Sequence, residues 1–335
     1  MKPNFTKSAL IALFCLFGMT GAMAQLSGTY TVGSSSSANY SSVAAAATAL
    51  TSNGVSGAVV FSIADGTYSG QVSLGSSISG ASATNTITFK SSSADSSKVT
   101  ITNSGTYTVY VTGSDYIAFE DVTIQNTSTS THYNVYLSGG SDHFTISNSR
   151  VISNQSGGFS YNVYSSRNEF LTVENSRVLG GYYGVYNFGS GTGTSASDGM
   201  HIENNQFIRN GYYGIYSRNQ REYLIKGNML DSMVRTGIAI YSYYDNMARI
   251  EDNELFNCNY GLYFFYGNYV GNSTDTTVVA NNITRNMGVY GFYANRFDRA
   301  HVYHNVFESV SGRYAMYWYN FRLNDVYFAN NILVG

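Results

Sequence analysis

The sequence predicts an all-β chain folded as a right-handed parallel β-helix, a solenoid of about nine or more coils behind an N-terminal capping helix. Three observations lead there. An asparagine-centred phrase recurs at steps of 23 to 29 residues from residue 99 onward. Each repeat holds two or three short runs alternating apolar and polar residues between Gly, Asn, Ser and Asp, the pattern of strands bounded by turns. A second phrase, built on paired tyrosines, keeps step with the first. Leucine-rich repeats share this period, but their several leucines per repeat and Asn/Cys signature are absent.

The chain begins with Lys2 and Lys7, an apolar run from Ala9 to Phe17, and Ala22-Met23-Ala24 before Gln25. This is the layout of a cleaved export signal over residues 1–24. The run is too short to span a bilayer, so no transmembrane span is expected in the mature chain. Cys15 follows Phe14 rather than a small residue, which argues against a lipoprotein signal. Residues 25–85 are expected to form the cap helix and first strands, and residues 86–335 the coils. Within the first part, Tyr40 to Ser52 reads as one helix stopped by Asn53-Gly54. Val59–Ile63 reads as a buried strand and Asp65-Gly66 as a turn. A helix over the first coil protects the open end of a solenoid.

The corner phrase reads Ile202-Glu-Asn-Asn205-Gln-Phe207, Ile225-Lys-Gly-Asn228-Met-Leu230 and Ile250-Glu-Asp-Asn253-Glu-Leu255, with further copies at Asn282, Asn305 and Asn331. Ser149 and Ser176 hold the place in two earlier copies, and Val122 in a degenerate one. Asparagine suits a tight corner because it tolerates the left-handed backbone conformation. Stacked at strand spacing, its amide can bond to the residue above and below.

The tyrosine phrase (Tyr, any residue, apolar, Tyr) starts at Tyr107, Tyr133, Tyr161, Tyr183, Tyr213, Tyr260, Tyr290 and Tyr314; a ninth copy has Ile238 and keeps Tyr241. Alternation turns Val135, Val185, Ile215, Ile240, Leu262, Phe292 and Met316 inward. The tyrosines that follow (Tyr136, Tyr164, Tyr186, Tyr216, Tyr241, Tyr263, Tyr293 and Tyr317) therefore point outward in a stripe on the order of 40 Å long. Two coils are longer, with insertions at Gly189–Ser197 and within Tyr266–Thr276. The chain stops inside a coil at Asn330–Gly335, which raises the expectation that the natural protein or a partner continues beyond.

Composition narrows the function. Only 11% of the 335 residues are charged, there is one proline, and 31 are tyrosine. This excludes collagen and proline-rich stalks and argues against disorder. Without the signal, 16 basic and 20 acidic residues give a net charge of −4, which disfavours a nucleic-acid or anionic-membrane partner. Cys258 is the one remaining cysteine, so no internal disulfide forms.

The export signal, the cap helix, the Val-Val-Phe-x-Ile-x-Asp-Gly-Thr-Tyr stretch at 59–68 and the Asn-x-apolar coils together resemble the pectin-lyase-like right-handed β-helix superfamily. The chain looks like the secreted or surface β-helix repeat proteins common in Bacteroidetes. That resemblance implies the fold over nearly all of the mature chain. It leaves function open among lyases, hydrolases, esterases and non-catalytic adhesins.

For hydrolysis the fold is expected to cluster aspartates on one face. Here Asp115, Asp142, Asp275 and Asp298, with Asn168, Asn246 and Asn324, precede strands where turn-forming explains them. For a lyase, one outward column stands out: Glu174, Glu203, Lys226 and Glu251 on successive coils. It reads as a ladder of alternating charge, or as a site with Lys226 as proton-abstracting base and Glu203, Glu222 and Glu251 near a calcium ion. Some calcium-assisted lyases place an arginine one coil beyond the lysine; here Tyr241-Ser-Tyr-Tyr stands there, and Arg249 is the nearby candidate. His301 and His304 are expected to face differently and lack further zinc ligands. No nucleophile elbow or phosphate-binding loop is present.

The leading expectation is a secreted or surface, non-catalytic module that binds glycan or a partner, an extracellular polysaccharide or a cell-surface protein, through its tyrosine face. No cofactor is expected. The alternative is a polysaccharide lyase or glycoside hydrolase using the Lys226 region, with calcium only in that case. A ligand-free structural spacer is the third reading.

Overall fold

A computed structural model describes residues 24–154, 159–192, 195–233, 237–268, 276–310, 313–319 and 325–335. The stretch expected to be an export signal, up to residue 23, Asp275, Asn324, and parts of both expected insertions lie outside these residues. Three parallel sheets of 12, 11 and 10 strands run the length of the chain. In a typical coil, Leu224–Lys226 belongs to the first or lead sheet, Met229–Asp231 to the second or corner sheet, and Ile238–Tyr243 to the third or tyrosine sheet. Arg249–Glu251 then returns to the lead sheet one coil on, pairing in parallel with Leu224–Lys226. The one helix among the described residues, α1 (Val43–Asn53), starts three residues later than the sequence suggests. Ser42 caps it by accepting the Ala45 N–H at 3.1 Å, and Tyr40 instead bridges to Val32 with its ring against Tyr30 and Phe61. Val43, Ala46, Ala47 and Leu50 are its buried side, and Gly54 ends it with φ 67°.

The interior is a set of side-chain ladders. Phe61, Phe89 and Phe119 stack on successive lead strands with centroids 4.8 and 4.9 Å apart. Val109, Val135, Val163, Val185, Ile215, Ile240, Leu262 and Phe292 line the tyrosine sheet from within, all essentially inaccessible. Each such burial contributes about 1.5–3 kcal/mol. Met316, expected inward with them, is only partly covered in the last tyrosine strand.

The corner amides form the ladder the sequence predicts. The Asn228 Oδ1 accepts both the backbone N–H and the side-chain amide of Asn205, at 2.9 and 3.0 Å. Asn253, Asn282, Asn305 and Asn331 repeat this double bond. Toward the N-terminus, Asn205 accepts the Ser176 N–H, and the Ser176 and Ser149 hydroxyls continue the ladder by accepting the Ser149 and Val122 N–H groups. The left-handed residue of the corner is the one before the ladder, as at Asn204, Gly227, Asp252, Asn281 and His304. The ladder position itself is chosen for its amide, since the buried N–H of each coil needs an acceptor.

Candidate functional site on the tyrosine sheet

The "any residue" of the tyrosine phrase sets the site. It is Thr108, Asn134, Asn162, Gly184, Gly214, Ala239, Gly261, Gly291 or Ala315, and it is buried. A Cβ at Gly184 would lie 2.3 Å from the Gly214 carbonyl oxygen and 2.8 Å from the Phe207 ring. Two buried residues therefore separate each pair of tyrosines, and the strand bends so that both point outward. The first tyrosine, whose direction alternation leaves open, forms its own register column through Tyr107, Tyr133, Tyr161, Tyr183 and Tyr213. The second column runs unbroken through Tyr110, Tyr136, Tyr164, Tyr186, Tyr216, Tyr241, Tyr263, Tyr293 and Tyr317.

The outward stripe expected from the sequence is half-buried rather than a run of open ring faces. Tyr136–Tyr164, Tyr164–Tyr186 and Tyr186–Tyr216 stack at 5.0, 5.6 and 4.4 Å with planes within 7°. Tyr133 meets Tyr136 of its own coil edge-on at 5.1 Å. Around Tyr241 the order breaks, with planes at 67° to Tyr216 and 85° to Tyr263; parallel stacking resumes at Tyr263–Tyr293 and Tyr293–Tyr317. Ring faces are thus covered by neighbouring rings, and the solvent meets edges and hydroxyls. Tyr216 is only 7% exposed. Burial, reinforced by the neighbouring phenols, pushes the Tyr161 hydroxyl up to about 12. It raises Tyr183, Tyr213 and Tyr241 further. Each aromatic pair adds about 0.5–1.5 kcal/mol beyond its area, so the columns also stabilise the coil stack.

A third outward column breaks this uniformity. It runs Thr112, Ser138, Ser166, Phe188, Arg218, Tyr243, Phe265. The Arg218 guanidinium lies 4.8 Å over the Phe188 ring and 4.9 Å over the Tyr243 ring, covering one face of each. On the other side of Phe188 the column drops to serine, and a groove of about 570 Å³ opens there. Ser138, Gly139, Gly140 and Ser166 form its low side, with Tyr164, Tyr186, Phe188 and Arg167 around it. Sequence reasoning missed this groove; its signal is the change from Ser to Phe and Arg at the second residue after the second tyrosine of the phrase.

The charged column is elsewhere. Glu174, Glu203, Lys226 and Glu251 are in register on the lead sheet, as the sequence implies, and so do not share a face with the tyrosines. Lys226 Nζ pairs with Asp252 at 3.5 Å rather than with its ladder neighbours. Arg249 holds the nearly buried Glu251 through two bonds of 3.1 and 3.0 Å, and Glu203 meets His201 at 3.6 Å. Glu222 lies in the preceding turn, 3.3 Å from Arg221. The turn aspartates behave as expected: the Asp115 and Asp142 carboxylates accept the Asp142 and Glu169 backbone N–H groups of the next coil. His301 sits on a lead strand and His304 at a left-handed corner bonded to Asn330. Among the described residues no three His, Cys, Asp or Glu side chains gather as metal ligands. The buried Cys258 thiol donates to the Phe256 carbonyl at 3.0 Å, and burial pushes it up to about 12.

No curated protein matches the sequence significantly. Among solved structures, the chain is similar to an alginate lyase from Paenibacillus sp. str. FPU-7 at 14% identity, covering 90% of this chain and 99% of that one with a TM-score of 0.55. It is similar to a GH136 lacto-N-biosidase from Eubacterium ramulus at 12% identity, covering 91% and 67%, TM-score 0.53. It is also similar to the Dettilon tailspike protein at 14% identity, covering 80% of this chain and 51% of that one, TM-score 0.56. At these identities the likeness speaks for the fold, the right-handed parallel β-helix of the pectin-lyase-like proteins. Residues 160–332, more than half of the chain, match the family described as periplasmic copper-binding protein (NosD), and the chain belongs to that family.

Proposed function

We propose that this chain is an exported, non-catalytic β-helix module that binds a glycan along its tyrosine sheet. The observation that carries the reading is the groove beside Phe188, where a row of phenol edges meets one ring with an open side. Stacked tyrosines offer hydroxyls, which hydrogen-bond to polyols. Phe188 offers an apolar ring for the carbon face of a sugar. Ser138 and Ser166 leave room for it, and Arg167 stands at the rim. Export rests on the residue 1–24 signal expected from sequence.

The calcium-assisted lyase and copper readings find less support. For a calcium-assisted lyase, the base Lys226 and the arginine Arg249 are each held by an acid, Asp252 and Glu251. For copper, the family description suggests thiol, thioether or imidazole donors. Here the thiol of Cys258 is sealed in the core, His143 is stacked between two rings, and no three His, Cys, Asp or Glu side chains gather among the described residues. These residues do not fit a copper centre.

The test uses the mature chain on an array of neutral and acidic oligosaccharides. Binding is expected, and Phe188→Ala or Tyr186→Ala should reduce it tenfold or more; unchanged binding in both refutes the site. The same polysaccharides, incubated with and without calcium, should keep their chain lengths. Shortening of any polymer overturns the non-catalytic reading.

A further inference from the structure

A second aromatic column lies away from the tyrosine sheet, at the turns leading into the lead strands. Tyr116, His143 and Phe170 occupy equivalent left-handed positions on three successive coils. Their rings stack at 4.5 Å and 9°, then 4.4 Å and 1°. The next coil places Gly199 in the same position, in line through the Phe170 N–H to the Asp198 carbonyl and the Gly199 N–H to the Arg221 carbonyl. The coil after that places Glu222 there. The stack therefore ends at Phe170, a residue that is 40% exposed. Gly199 is required by the ring: a Cβ there would sit 2.4 Å from the Phe170 Cδ1.

Where a fourth ring would stack there is instead a cleft of about 500 Å³, lined by Phe170, Thr172, Asp198, Gly199, His201 and Glu222 together with His143 and Thr145. Its polar lining is rich in acceptors. Of its lining carboxylates, Asp198 grips the Arg221 guanidinium at 2.9 and 3.0 Å and Glu222 meets it at 3.3 Å, while Glu169, whose N–H donates to Asp142, lies just behind Asp198. Burial, with Asp142 and Asp198 nearby, holds the Glu169 carboxyl above its ordinary value. An occupant must bring an apolar face for the ring, hydroxyls for Thr145, Thr172 and His201, and positive charge for the carboxylates. An ammonium beside an aromatic face gains cation–π attraction as well.

We propose that this cleft binds a sugar bearing a free amine, a 2-amino-2-deoxyhexose unit, with its carbon face on Phe170 and its ammonium directed to Glu222. An acidic sugar is repelled by the same carboxylates. An N-acetylated sugar loses the charge. The site is independent of the tyrosine sheet, so each proposal stands or falls alone.

The experiment is calorimetric titration of the mature chain with the β-1,4-linked tetramers of glucosamine and of N-acetylglucosamine. The glucosamine tetramer is expected to bind, and the N-acetylated one to bind at least tenfold more weakly. Phe170→Ala and Glu222→Gln should each weaken the glucosamine tetramer tenfold or more, while Tyr164→Ala/Tyr186→Ala leaves it unchanged. Glu222→Gln preserves shape at an exposed position, so its result does not depend on refolding. Equal affinity for the two tetramers, no binding of the glucosamine tetramer, or loss only in the tyrosine variant would each overturn the assignment.

Discussion

Asp245 is fully enclosed at the turn after the tyrosine strand Ile238–Tyr243, 1% exposed. Its Oδ1 accepts the Gln220 N–H at 2.8 Å, and the hydroxyls of Ser217, Ser242 and Tyr223 surround it. Burial outweighs these bonds and raises the carboxyl from 3.8 to about 7. The folded protein therefore holds a proton here that the unfolded chain releases near pH 4. The stabilising share of this proton is complete below that pH and is lost as pH rises to about 7. A difference of about three pH units corresponds to about 4 kcal/mol, of which about 3 kcal/mol is lost between pH 5 and 8.

Asn168 occupies the matching place three coils earlier. Its Oδ1 accepts the Ser141 N–H and its amide donates to Ser165, at 2.8 and 3.1 Å. Asp245→Asn should therefore fold with the same bonds and no titration. Denaturant midpoints at pH 5 and pH 8, with hydrogen exchange of the Gln220 and Ser242 amides, compare the two proteins. The variant should gain about 3 kcal/mol on the parent between these conditions, since all other titrations cancel. A difference that stays constant with pH would refute the buried, protonated carboxyl.

Two further predictions concern the ladders. Asn253→Ala removes the acceptor of the buried Asn228 N–H and the donor to the Ile225 carbonyl, at 3.0 and 2.9 Å. At about 1–3 kcal/mol per orphaned group, a loss of about 3 kcal/mol or more is expected in denaturant titration, and a loss below 1 would contradict the ladder's role. Gly184→Ala forces backbone apart at the Gly214 carbonyl. It should cost about 1–3 kcal/mol and lower the near-ultraviolet dichroism of the stacked tyrosines, whereas a neutral result would show that the strand bend has room.

Repetition made the scaffold readable. A period in the twenties with paired strand patterns admits few folds, and each copy votes on the register of the next. The corner amides and the column Tyr136 to Tyr317 were legible for that reason. What was hidden lies between copies. The sequence shows that Tyr164 and Tyr186 share a column, but not that their planes lie 4° apart and cover each other. It shows Ser166 and Phe188 two residues after a tyrosine, but their meaning depends on the step in height when one coil stacks on the other. The Tyr116–His143–Phe170 column was visible as residues 27 apart, each following an acid, yet the turn residues were read only as turn formers. Alternation carries no instruction for left-handed positions, which break the strand period that was being counted.

This distinction bears on how a tyrosine-rich solenoid recognises anything. A stack of parallel phenols spends its ring faces on itself. Its interior rungs then stabilise the fold and present a hydroxyl row, whatever the ligand. Selective contact with an apolar surface requires a ring whose next neighbour is missing. The described coils supply such ends where a column steps to a small residue: Phe188 beside Ser166, and Phe170 beside Gly199. Both have acceptors or donors of opposite character nearby, Arg167 at the first and Glu222 at the second. On the two proposals made above, recognition on this scaffold is a property of interruptions in the repeat. Substitution in mid-stack, as at Tyr136, should be felt first in stability, whereas substitution at Phe188 or Phe170 should be felt first in binding.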